Sequence, residues 1–322
     1  MNYSPANIKI WSRLGSCGAY GMAAMELPAI NDDIVVLTAD LKFYSCLVRF
    51  SGKYPDKFYN LGIAEQNMVG VAAGMAKEGL IPFASTYATF ASMRCADQVR
   101  VNMGYMNLNI KLVGLTAGYS VGILGPTHMS IEDIAVMRSI PNITILSPAD
   151  CTETVKATEA AARMDGPVYL RLTGSLNNPI VYDRDYDFEI GKAISLREGS
   201  DVAILATGTM VYQSLLAAEL LEEHGISVSV ADVHTIKPLD EEAVKNACET
   251  RLIVTAEEHS TFGGLGSAVA EVLTTIPDAP EQMFIGIRDR YPHAASYEFL
   301  LEQEGLTGKT IADKIYQKYQ EI

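Results

Sequence analysis

Residues 59–84, YNLGIAEQNMVGVAAGMAKEGLIPFA, set the reading of the fold. Glu65–Lys77 has the spacing of a helix with one apolar face, and Glu65 stands in its first turn, where a carboxylate complements the free amide groups of a helix N-terminus. Gly70 and Gly74 lie four apart on one face of that helix, which permits close approach of another element, within the domain or outside it. Ile81–Ala84 reads as a short apolar strand after the helix and Ile34–Leu37 as one before it. The alternation continues outward. Ile110–Leu115, Ile143–Leu146 and Val168–Leu172 are further strand candidates, while Ile131–Arg138 and Cys151–Met164 are helix candidates, the second entered through the turn Ser147-Pro148-Ala149-Asp150. Strands alternating with helices predict an α/β fold built on parallel sheets.

The pattern breaks over Gly174–Asp187, where Asn177-Asn178-Pro179 and a run of Tyr and Asp read as a linker. A second set follows: strand Val202–Ala206, a long helix Val211–His224 closed by Gly225, strands Ile226–Val230 and Leu252–Thr255, and helix Gly266–Thr274. The expected organisation is two α/β domains, residues 1–180 and 188–322, both within the common domain size of about 100–200 residues.

Bulk properties bound the function. The chain has 322 residues, 48% hydrophobic and 20% charged, with a formal net charge of −14 and no Lys/Arg-rich block, which argues against non-specific nucleic-acid binding. Apolar runs such as Val202–Ala206 are far too short to span a bilayer. The first residues lack a basic stretch followed by an apolar one, so no secretory signal is read. The five cysteines are widely spaced with no C-x-x-C pair, which indicates neither a disulfide framework nor a zinc site. The expectation is a cytoplasmic protein with reduced thiols and no metal-ligating set of its own.

The chemistry concentrates around Glu65. Downstream of Tyr59–Asn67 come Ser85-Thr86-Tyr87-Ala88-Thr89-Phe90, Arg94-Cys95-Ala96-Asp97-Gln98-Val99-Arg100, Gly125-Pro126-Thr127-His128 and Ser147-Pro148-Ala149-Asp150. In this order, with Thr38-Ala39-Asp40-Leu41 upstream and Ile8–Gly18 as lead-in, they resemble the pyrimidine-binding domain of transketolases and deoxyxylulose-phosphate synthases. Ala206-Thr207-Gly208 and Glu257-Glu258-His259…Gly263-Gly264-Leu265-Gly266-Ser267 resemble the transketolase C-terminal domain, a Rossmann-like fold. Each motif is weak alone; the ordered set is specific and spans nearly the whole chain.

The resemblance implies thiamine diphosphate chemistry. Glu65 then meets N1′ of the cofactor's aminopyrimidine, and an apolar surrounding is expected to help keep its carboxyl protonated. The cofactor acts as electron sink for C–C cleavage, and a two-carbon unit passes from a ketose to an aldehyde. Tyr87 and Phe90 match aromatics beside the pyrimidine, where flat faces suit offset stacking. Asp40 matches an aspartate lining the cofactor pocket. His128 matches a histidine that contacts donor or acceptor oxygens, and imidazole suits proton transfer near neutral pH. Arg13 and Arg94 match family arginines, Arg94 one that meets phosphate.

Full-length members hold the diphosphate through Mg²⁺ (or Ca²⁺) with a G-D-G…N motif, and no Gly-Asp-Gly occurs in this chain. The resemblance therefore implies a partner, a large subunit carrying the metal–diphosphate half, in an α2β2 assembly with active sites at the interface. Three departures concern the substrate. Leu124, in Ile123-Leu124, replaces an acidic residue that reads a sugar hydroxyl; Thr116 stands where a phosphate-contacting histidine is expected; and Gly174 stands where a phosphate-contacting arginine is expected. They point to a remodelled acceptor pocket. Competing readings are the β subunit of a 2-oxo-acid dehydrogenase, a deoxyxylulose-phosphate-synthase-like enzyme, and a non-catalytic assembly subunit.

Overall fold

The computed structural model describes residues 1–322 and contains two sheets. In the first, β1 (Ile34–Thr38), β2 (Phe58–Asn60), β3 (Ile81–Tyr87), β4 (Lys111–Leu115), β5 (Thr144–Leu146) and β6 (Val168–Arg171) are parallel in the order β5-β6-β4-β3-β1-β2. Successive residues of β1 point into different cores: Ile34 and Val36 pack with Phe83, Leu115 and Leu170, while Val35 and Leu37 pack with Met68, Ala72 and Leu112. Both faces are therefore covered, which is why these strands read as unbroken apolar runs.

The second sheet runs β12 (Glu281–Ile287), β11 (Leu252–Ser260), β8 (Val202–Ala206), β9 (Val228–Asp232), β7 (Ile194–Arg197), parallel except for the edge strand β7. The chain is thus α/β with two mostly parallel sheets, as the alternation predicts. Helix Glu65–Lys77 has the expected bounds. Several elements escape the sequence pattern: the edge strands β2, β7 and β12, and the C-terminal helices Tyr297–Glu304 and Gly308–Glu321. β10 (Thr235–Lys237) is the least expected, because it leaves the second sheet's run to pair antiparallel with β5, as the seventh strand of the first sheet. No helix is long and apolar enough to cross a membrane.

The two sheets are fastened through buried polar groups. Arg171, at the end of β6, donates from Nε to Asp133 at 2.8 Å and from Nη2 to the Glu258 carbonyl of β11 at 2.9 Å; its side chain is 1% exposed and that of Asp133 0%. Tyr169 also donates its hydroxyl to Asp133, at 2.7 Å. Glu258 answers from the other side, accepting from the Tyr119 amide at 2.6 Å and from the Tyr297 and Thr209 hydroxyls. Removing one partner of a buried pair leaves the other charge uncompensated, at a typical cost of about 3–5 kcal/mol.

A second polar cluster straps the linker. Asp150 accepts from the Val181 and Tyr182 amides at 2.8 and 2.9 Å. Tyr182 donates to Asp232 of β9 at 2.7 Å, Tyr186 donates to Glu153 at 2.8 Å, and the two tyrosine rings stack at 4.0 Å. No ion pair joins any of these carboxylates to a cation, and burial pushes Asp150 up to about 6, Asp232 up to about 7 and Glu153 well above the usual range. A carboxyl raised in the folded state contributes stability that is present below its ordinary value, near 4, and is lost as pH rises through the folded value. Burial lowers His234 and His259 to about 4, which acts in the opposite sense but only below about pH 6.5. The melting temperature is therefore expected to fall from about pH 6.5 to 7, above which the buried Lys111, lowered to about 7, acts in the opposite sense, and Asp232→Asn is expected to reduce that slope, Glu257, also raised to about 7, supplying the rest. An unchanged slope in the variant would show that this cluster does not control it.

Candidate active site

The order β4-β3-β1-β2 places the carboxyl ends of four strands side by side, and the strand order turns back between β1 and β3. Such a switch point leaves a crevice outside the strand ends, the usual ligand position in open α/β sheets. Asp40 follows β1, Tyr87 ends β3, Thr116 follows β4, and the loop after β2 leads into Glu65. Backbone at this edge is unusual: Asp40 and Thr116 have φ of +58° and +53°, which a β-branched residue such as Thr116 rarely adopts.

Glu65 is the first residue of its helix and 4% exposed. One carboxylate oxygen accepts from Arg94 Nη1 at 2.7 Å. Arg94 ends a π-helical turn, Phe90–Arg94, and its guanidinium lies 4.1 Å from the centre of the Phe90 ring. Phe90 and Tyr87 each meet His128 edge-on, at 5.4 and 5.7 Å between ring centres. One chain of contacts thus joins Glu65, Arg94, Phe90, His128 and Tyr87. Beside it lies a hollow of about 400 Å³, lined by Ile63, Ala64, Glu65, Gln66, Asn67 and Arg94. The apolar surrounding expected for Glu65 is not what the fold supplies on this side, because a guanidinium stands against the carboxylate. Arg94 likewise points at Glu65 rather than standing free for a phosphate. Cys95, buried behind the pair, has its thiol pushed up to about 12 by burial and by the Glu65 charge, so it is inert.

The remaining candidates lie around this cluster. Asp40 is exposed and exchanges hydrogen bonds with Asn60, its amide donating to Asn60 Oδ1 at 2.9 Å and its carboxylate accepting from Nδ2 at 3.1 Å. Thr116 turns its hydroxyl back onto the Leu115 carbonyl at 2.8 Å. Leu124 is exposed on the short turn Gly122–Leu124. Arg13 is exposed on helix Pro5–Ala24, beside the Gly174 loop, whose Asn177 amide donates to the Arg13 carbonyl. Gly70 and Gly74 face open space, which leaves the helix free on that side. The Gly264-Leu265-Gly266 turn has its own anion: the Leu265 and Gly266 amides donate to Glu257 at 2.7 and 2.8 Å.

Sequence reading missed the residues that hold this edge in place. Gly118 pairs with Ser130 and closes the loop carrying Leu124 and His128. The π-helical turns Phe90–Arg94 and Arg100–Tyr105 carry no composition signal, although such turns recur at functional sites.

Comparison with known proteins agrees with this geometry. Residues 16–179 match the family described as transketolase, pyrimidine binding domain, and residues 191–311 match transketolase, C-terminal domain. This chain belongs to the transketolase family. It is 46% identical, over 89% of both chains, to a 6-deoxy-6-sulfo-D-fructose transketolase subunit from Clostridium sp. (strain MSTE9). It is 39% identical to one subunit of the apulose-4-phosphate transketolase of Phocaeicola vulgatus, over 88% of this chain and 92% of that one. A solved structure described as "Split gene transketolase, inactive beta4 tetramer" superposes with a TM-score of 0.85 at 40% identity, covering 95% of this chain and 98% of the other. Among transketolases, then, its likeness is to the subunits of split enzymes.

In this transketolase-family site Gly118 is a point of high sensitivity. Its φ is +65°, and an added Cβ would sit 2.2 Å from Glu258 Oε1. Left-handed backbone costs an L-residue about 1–2 kcal/mol, before any displacement of Glu258. Gly118→Ala is expected to lower unfolding free energy by about 2 kcal/mol or more in denaturant titration. Unaltered stability would mean that the Gly118–Glu258 contact does not constrain the loop.

Proposed function

We propose that this chain is the smaller subunit of a split, thiamine diphosphate-dependent transketolase that moves a two-carbon ketol unit from a ketose to an aldose. The observation that carries this reading is the placement of Glu65: a buried carboxylate at the switch point of a parallel sheet, opening onto a hollow that this chain leaves unclosed. The residues fit half of the cofactor. A carboxylate and the flat rings of Phe90 and Tyr87 suit an aminopyrimidine, whereas the chain brings together no set of side chains that would hold the metal ion of a metal–diphosphate. That half, with its Mg²⁺, is assigned to a large subunit in an α2β2 assembly.

When bound, the cofactor supplies the electron sink for C–C cleavage. Glu65 binds the pyrimidine edge and holds or releases a proton there. Tyr87, Phe90 and Asp40 bound the pocket, and His128, backed by the Thr127 hydroxyl at 3.0 Å, exchanges protons with sugar oxygens. Exposed apolar side chains stand next to the site, among them Ile63, Phe43, Tyr44 and Met93, as expected of a face that a partner covers. The neighbour described as an inactive β4 tetramer supports the same requirement for a second chain.

Leu124, Thr116 and Gly174 leave the far end of the pocket without the usual acidic, histidine and arginine contacts, and the Arg13 carbonyl accepts from Asn177 of the Gly174 loop. The relatives are named for a sulfonated and a phosphorylated sugar. The acceptor and donor are therefore proposed to be sugars outside the common pentose-phosphate set, with an anionic group at the distal end.

The test is two-carbon transfer by the chain mixed with its large subunit, from a panel of phosphorylated, sulfonated and unmodified ketoses. Transfer is expected only in the mixture, and Glu65→Gln is expected to reduce it by about 10²–10⁴-fold, the usual range for a lost acid–base group. Full transfer by the variant, or release of carbon dioxide from 2-oxo acids instead, would reject the transketolase reading.

A further inference from the structure

Arg94 has two contacts, and both fall on groups assigned to the cofactor. Its Nη1 donates to Glu65 at 2.7 Å, and its guanidinium carbon lies over the Phe90 ring, 4.1 Å from the ring centre. A guanidinium is planar, delocalised and rich in N–H donors, and it stacks on aromatic faces. An aminopyrimidine protonated at N1′ shares each of those properties. The two groups therefore compete for one carboxylate and one ring.

Burial explains why a stand-in is needed. The Glu65 side chain is 5% exposed, whereas that of Arg94 is 46% exposed. A carboxylate so deeply buried without a partner carries a large desolvation cost. Arg94 supplies the partner from the solvent side, on a side chain with room to turn outward. No other cation lines the hollow.

We infer that Arg94 is a placeholder: in the chain without cofactor it occupies the Glu65–Phe90 position, and cofactor entry displaces it outward. The inference rests on the transketolase reading proposed above. Arg94 is then a positioning residue that keeps Glu65 ordered before assembly, and it lowers apparent cofactor affinity by the fraction of molecules in which it is bound to Glu65.

A placeholder and a cofactor ligand predict opposite signs. Thiamine diphosphate is titrated calorimetrically, with Mg²⁺, into the assembled complex carrying wild-type chain, Arg94→Ala or Arg94→Lys. Arg94→Ala is expected to bind the cofactor roughly threefold to tenfold more tightly, because the competing state is gone. The same variant of the isolated chain is expected to melt at a lower temperature than wild type. That loss should vanish in a Glu65→Gln background, where there is no charge to compensate. Arg94→Lys keeps a charge but not a stacking plane, so it should fall between; it carries the comparison if Arg94→Ala does not fold. Equal or weaker cofactor binding by the Arg94 variants would overturn the inference while leaving the proposed function standing. A wild-type complex that binds no cofactor would overturn both.

Discussion

The buried ion pair between Arg171 and Asp133 is the constraint on which the rest of the molecule hangs. Arg171 ends a strand of the first sheet, yet it also reaches the Glu258 carbonyl in the second. Glu258 in turn holds the amide of Tyr119, at the base of the loop that carries His128. One guanidinium therefore couples the relative position of the two sheets to the geometry of the candidate site. Such a pair is favourable only when its geometry is maintained on every side, and the hydroxyl of Tyr169 helps maintain it. The acid cluster around the linker has the same logic with a different component, since backbone amides and tyrosine hydroxyls rather than arginines meet the buried carboxylates there.

Much of this was legible in the sequence because it depends on local order. Glu65–Lys77 announces itself by periodicity and by an acidic first turn, and the apolar strands flanking it have both faces buried, so they read as continuous runs. Membership of the transketolase family was legible for another reason, the order of several weak motifs along the chain. What stayed hidden depends on pairing across long stretches. The partner of Arg171 is 38 residues away, and that of Glu258 is 139. β10 reads as part of the second domain until its pairing with β5 is seen. The sequence does not show that His259 lies inside β11, fully buried.

At the site, sequence reading named candidate residues but not their partners. It gave Tyr87 and Phe90 to a cofactor ring and His128 to substrate oxygens, and the fold joins the three rings edge to face. It gave Arg94 to the substrate, whereas the π-helical turn aims that side chain at Glu65. A π-turn adds one residue to the helical repeat, so side-chain direction past Phe90 cannot be deduced from α-helical spacing. Leu124, Thr116 and Gly174 are proposed to weaken the usual sugar-phosphate contacts; Thr116 follows β4, Gly174 follows β6 and Leu124 lies on the turn Gly122–Leu124, and none of the three lines the hollow beside Glu65.

An acid at a sheet's switch point, two aromatic rings and an open side are the features from which half of a cofactor site is proposed. The central claim is that another chain provides the other half. Calorimetric titration of thiamine diphosphate with Mg²⁺, into this chain alone and into its mixture with a large subunit, tests that claim most directly. Saturable binding in the mixture and none in the chain alone is the predicted result. Tight binding by the isolated chain would contradict it.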